Sequence, residues 1–300
     1  HSLLITLDEK YRVMAYTNNY VYEVLHFSTP SRKWINEVRV KPEIMDIFHV
    51  VLKNRREVRW NDYDKAVCEI KDFLRQEKIV MAGVDLFYWI PMNMCYHKHH
   101  ADHYAIINGF DEEKDIFFVM DTDNVKYQEF EMPAENVMEA IAHCDLHYDA
   151  LVYDLCTREE IQPYMFDKKE LIWRAKKIYK SLRPLSRKYF WLMEEDDYKK
   201  GFYRDMCVMY ILQINCRMKA NRLLFEYLIE KEMIMELAPL QEDCHRIERR
   251  WTAIKNKVSK AYFAESGVAE MMNLGEQMME QFVEERKMWK AFIKLYDKRR

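Results

Sequence analysis

"HYAIINGFDEEKDIFFVMD", residues 103–121, decides how this chain is read. Two runs rich in β-branched and aromatic residues, "HYAIINGF" and "DIFFVMD", flank the polar turn "DEEK", the pattern of an antiparallel hairpin. With the turn centred near Glu112, His103 lies nine residues before the centre and Asp121 nine after it. Regular pairing then sets the two directly opposite, with Cβ atoms about 4.5–5.5 Å apart; a one-residue bulge would disturb this register. An imidazole and a carboxylate that meet at the open end of a hairpin supply the base and its orienter, two members of a nucleophilic triad. The segment holds no nucleophile of its own.

Outward from the hairpin, the first half of the chain changes period often. "IVMAGVDLFYWI" (79–90) reads as a buried strand ended by Pro91, and "VKYQEFEM" (125–132) alternates as a further strand. "PAENVMEAIAHC" (133–144) opens a helix at Pro133. Upstream, "DYDKAVCEIKDFLRQEK" (62–78) carries Ala66, Val67, Ile70, Phe73 and Leu74 at amphipathic spacing, and "LLITLDEKYRVMAYTNNYVYEVLHF" (3–27) has hairpin grammar. This half is expected to be α+β with an antiparallel sheet. From about residue 160 the spacing turns helical. Asp167 with Glu170 makes a capping-box-like start, and one apolar face then runs to Pro184. Long patterns occupy about 202–237, 241–263 and 268–296, which predict a helical bundle. The expected domains are 1–157 and 158–300, joined near "LCTREEIQP" (155–163).

Three hundred residues with 49% apolar content can build a sizeable core. Lys and Arg total 47 against 50 Asp and Glu, and the net charge of -3 gives no general pull toward nucleic acid or an anionic membrane. Charges interrupt every apolar run before spanning length, so neither nucleic acid nor membrane is an expected partner. Seven cysteines, at 68, 95, 144, 156, 207, 216 and 244, form an odd set without a CxxC pair. That argues against a disulfide framework and a zinc ribbon, and a reducing cytoplasm is expected. Five glycines leave no Gly-rich phosphate loop, and no cofactor is expected.

A His at the start of "HYAIINGF", a short acidic turn and a strand ending in "VMD" resemble the His and Asp segments of papain-like cysteine peptidases, particularly the bacteriocin-processing type. "GVDLFYWIPMN" (83–93) with the histidine-rich loop after it resembles the N-terminal domain of butirosin biosynthesis protein H and its relatives, associated with peptide and natural-product assembly. The resemblance covers about residues 80–140. It implies a papain-like α+β domain with a catalytic His at His103 and a catalytic Asp at Asp121. The family's cysteine should open the first segment, yet no cysteine occurs before Cys68. "HSLLITL" is similar to the residues that often come after that cysteine in the family, so the nucleophile is expected before His1. Cys68, on an expected apolar helix face, reads as inert core; Cys95 and Ser2 are weaker substitutes.

Other readings stand beside these. His97, His99, His100 and His103 have the imidazoles of a zinc site, but "HKHHADH" lacks the helical HExxH arrangement, and no metal is expected. A pocket-lining loop fits the first three better, and a strand-end His103 bonded to Asp121 without chemistry is the plain structural alternative. Asp85, Tyr88 and His100 are candidates for substrate binding, although Asp85 could simply cap a neighbouring loop. Asp123 reads as a turn residue. The methionines of the C-terminal half read as core at helical spacing, or as an adaptable groove for a partner. The expected function is a cysteine-dependent acyl or peptidyl transferase, or a thioesterase- or peptidase-like hydrolase, in peptide or natural-product biosynthesis. Its expected partners are a small-molecule or peptide substrate and an acyl or peptidyl carrier protein. The alternative is an inactive binding module of the same fold.

Overall fold

A computed structural model describes residues 20–28, 34–42, 51–93, 95–122, 127–157, 159–161, 167–186, 202–231, 235–263 and 274–297. The fold is mixed α+β, with a six-stranded antiparallel sheet and six helices among the described residues. The chain divides into two compact units, 46–162 and 1–45 with 163–300.

The 46–162 unit contains β3 (Leu52–Val58), α1 (Tyr63–Arg75), β4 (Ile79–Asp85), β5 (Asp102–Asp111), β6 (Ile116–Thr122), β7 (Tyr127–Pro133), α2 (Ala134–Ala142) and β8 (Ala150–Leu155). The strand order is β3-β8-β4-β5-β6-β7, every pair antiparallel. Alternation gives the sheet one fully buried face: Val80, Ala82, Val84, Ala105, Ile107, Phe117 and Val119. The buried stripes of α1 (Ala66, Val67, Ile70, Phe73) and α2 (Val137, Ala140, Ile141) belong to the same core. Lys71 of α1, almost buried, bonds Glu112 and Asp115 of the β5–β6 turn and lies over Phe110 and Phe117. The turn is closed by Asp111, whose carboxylate accepts the amides of Glu113 and Lys114; those bonds hold its pKa below the usual value. The opposite face carries Gly83 and Tyr104 against the segment 144–148. A Cβ at Gly83 would stand 3.1 Å from the Tyr148 carbonyl, so the close approach favours glycine.

Two expectations change here. β4 ends at Asp85, not at Pro91, because the Asp85 side chain captures the backbone of the next turn. Pro133 is the N-cap of α2 and not its first helical residue. The strands β3 and β8 add to the elements expected from periodicity.

The other unit contains the hairpin β1 (Tyr20–Ser28) and β2 (Trp34–Pro42) with α3 (Lys168–Leu185), α4 (Phe202–Glu230), a 3₁₀ turn (Met235–Leu237), α5 (Ala238–Phe263) and α6 (Leu274–Asp297). Asp167 caps α3 by accepting the Lys169 amide at 2.8 Å, as its place in the sequence predicts. Pro184 falls in the last turn of that helix. The bundle core is aromatic, with Phe225 stacked on Phe292 and Trp251 against Phe282, and Met218, Met278 and Met288 are buried in it. The β1–β2 hairpin packs on α3 and α4, so a boundary at 157/158 separates it from the helices it contacts. Its position is set by Tyr20 and Tyr22, whose hydroxyls donate to the buried carboxylate of Glu285 at 2.7 and 2.6 Å. Among the described residues no helix is long and apolar enough to cross a membrane.

Candidate active site

His103 and Asp121 come together, but not by the register expected. The turn pairs Asp111 with Ile116 and Gly109 with Phe118, and this register would set Asp121 opposite Ile106, on the other face from His103. A bulge at Asn108 shifts the pairing to Ile107–Val119 and Ile106–Met120. Continued to the strand end, that register puts Asp121 across from Ala105 and on the same face as His103. The two are therefore diagonal neighbours and not direct partners, and His103 Nε2 lies 3.4 Å from Asp121 Oδ1. Because Asn108 bulges out of the ladder instead of pairing with Val119, imidazole and carboxylate share a side of the sheet.

Asp121 is 2% exposed, and the indole of Trp89 donates to its Oδ2 at 2.9 Å. A buried indole N–H needs an acceptor and a buried carboxylate needs donors, so each satisfies the other. His103 sits at the rim with its side chain 42% exposed, opposite Val84 of β4. Its Nε2 faces Asp121, which leaves Nδ1 as the ring nitrogen for a base role.

Asp85 forms a second imidazole–carboxylate pair. It is buried at the end of β4, accepts the amides of Phe87 (3.0 Å) and Ala101 (3.1 Å) on Oδ1, and meets His100 Nδ1 at 2.6 Å with Oδ2. The two amides close the base of the loop 86–101, so Asp85 caps that loop as well as holding His100. The ring of His100 stacks on Phe87 at 4.4 Å and 11°. Tyr88 packs on His143 at 4.4 Å and lies 6.0 Å from His100. His97 lies on Tyr96 with its backbone at φ 53°, a turn position. Among the described residues no group of three His, Cys, Asp or Glu side chains converges as a metal site.

The cysteines differ from expectation in one place. Cys68 is exposed, because the buried stripe of α1 runs through Ala66, Val67 and Ile70 and turns position 68 outward. Cys95 is buried in the loop, its amide donating to Asn93. Cys144 lies against the Gly83 face of β4, and burial pushes its thiol up to about 12, so it stays protonated at neutral pH. Ser2, Asp123 and the residues around His1 lie outside the described residues.

Sequence reasoning missed Trp89 and Asn108. A tryptophan within "LFYWI" reads as plain core, although its N–H is a reason to look for a buried acceptor. A glycine at 109 inside a strand pattern is itself a bulge signal. No family model and no curated protein matches the chain, so any assignment of function rests on these residues and their geometry.

Proposed function

We propose that the 46–162 unit carries the base and orienter of a cysteine-dependent acyl or peptidyl transferase, or of a hydrolase of the same mechanism, related to the papain-like and butirosin protein H-type enzymes. The observation that supports this reading is Asp121, buried, held by Trp89 and brought to the same face as His103. In the mechanism, His103 draws the proton from a thiol, and Asp121 fixes the ring and stabilises the imidazolium. The thiolate attacks a thioester or amide carbonyl, and the leaving group takes the proton back from His103. The acyl-enzyme then passes its group to an acceptor or to water. By the resemblance, the donor is an acyl or peptidyl group on a carrier protein, and Tyr88, His100 and Asp85 belong to the substrate side.

Trace alkylation with iodoacetamide from pH 5 to 9, read by mass-spectrometric mapping, locates the thiol. The expected result is one cysteine that reacts well below the ordinary thiol pKa of about 8.5 and slows in His103→Ala and Asp121→Asn. Uniformly slow cysteines, indifferent to His103, overturn the reading. They would favour the second one, a binding module, which has its own support: Cys95 is buried and the Cys144 thiol is pushed up to about 12, so neither is a ready nucleophile.

A further inference from the structure

His103 and Asp121 leave unexplained the tighter of the two imidazole–carboxylate pairs. Asp85 Oδ1 already accepts two backbone amides, and Oδ2 lies 2.6 Å from His100 Nδ1. With Asp85 Oδ2 as the acceptor at 2.6 Å, a neutral imidazole carries its proton on Nδ1, toward Asp85. Its Nε2 then has a lone pair. Stacking on Phe87 fixes the ring plane, and the side chain is 66% exposed, with Nε2 bonded to nothing among the described residues. A locked tautomer, a clamped ring and an outward lone pair are what a general base needs before substrate arrives. The ring of Tyr88, with His143 packed on it, lies 6.0 Å from that of His100. A purely structural histidine in this place would need its Nδ1 bond but not an exposed Nε2.

We infer that His100, held by Asp85, is a second proton-accepting centre, one that activates water or a small amine for attack on an activated acyl ester or thioester. The substrate class rests on the function proposed above; the thiol takes no part. In the step, Nε2 takes a proton from water as the water oxygen bonds to the acyl carbon. The bond from that carbon to the leaving oxygen or sulfur breaks, the leaving group departs with the electron pair, and Nε2 returns the proton to it. Ester and water become acid and alcohol, and His100 ends as it began.

The test uses the full chain with its thiols blocked by methyl methanethiosulfonate and p-nitrophenyl acetate as probe. Blocked wild-type protein should release nitrophenolate faster than an equal concentration of free imidazole, with kcat lower in D₂O than in H₂O. His100→Ala and His100→Gln should lose roughly tenfold or more, and Asp85→Asn several-fold, while His245→Ala, in the other unit, keeps the wild-type rate. Far-UV circular dichroism checks the variants, and His100→Gln, which leaves Asp85 in place, covers a loop disturbed by Asp85→Asn. Turnover no better than imidazole, a rate unchanged in both His100 variants, or a rate equal in D₂O and H₂O each overturns the assignment. Blocked esterase activity that persists when thiol labelling ignores His103 would sink the function proposed above and leave this centre standing.

Discussion

Trp89 shows how one side chain serves two accounts at once. Its ring is core, fully buried, yet its N–H is the donor that satisfies a carboxylate buried beside an apolar sheet face. Trp89→Phe keeps the packing and removes that donor. The expected cost is about 1–3 kcal/mol, the range for a lost hydrogen bond to a charged group, measured as a shift of the urea unfolding midpoint with unchanged slope. The same variant should slow any thiol whose reactivity depends on His103, because Asp121 loses the contact that aims it. A variant as stable and as reactive as wild type would remove Trp89 from the orienting role. Cys144 makes the opposite case. With its thiol at about 12, it should alkylate roughly a hundredfold more slowly at pH 8 than the exposed Cys68, which peptide mapping resolves directly.

At the level of elements, legibility tracks the strength of local periodicity. β5, β6, β7, α1, α2 and α3 stand where alternation or helical spacing puts them, and the Asp167 cap was readable to the residue. The strands β3 and β8 were not, since "LKNRREV" has four successive exposed polar positions, Asn54 to Glu57, and pairs with its partner only across more than ninety residues of chain. The site was legible as a pair of residue types and illegible as a register, because turn length and bulge each shift pairing by amounts that sequence spacing does not separate. The bulge makes a testable claim. Deleting Asn108 removes the extra residue and joins Ile107 to Gly109, so that Ile107–Val119 and Ile106–Met120 follow Gly109–Phe118 without a break and Asp121 stays on the face of His103. The dependence of thiol reactivity on His103 should therefore survive in the deletion variant. Its loss would show that the bulge itself, and not the pairing beyond it, positions the two side chains.

On the scale of the whole chain, the distant ends of the bundle unit meet at one carboxylate. Glu285 of α6 is fully buried, accepts Tyr20 and Tyr22 of β1 and the indole of Trp289, and is joined through Tyr20 to Asn221 of α4. Burial pushes its pKa up to about 7, and the three donors only partly offset this. The folded state therefore holds a proton to higher pH than the unfolded chain, whose carboxyl titrates near its ordinary value of about 4.3. Between those two values folding takes up a proton, so this group's contribution to stability is complete below about pH 4.3, declines as pH rises, and is lost above about 7. The span corresponds to about 3–4 kcal/mol. Glu285→Gln removes the titration and keeps an acceptor and a donor for the two tyrosine hydroxyls. Urea unfolding at pH 5 and pH 7.5 should show wild type losing stability relative to the variant across that interval, although the chain as a whole carries a formal charge of only -3 at neutral pH. A constant difference between the two proteins at both pH values would mean that Glu285 titrates as an ordinary carboxyl and that the hairpin is held by packing and neutral hydrogen bonds alone.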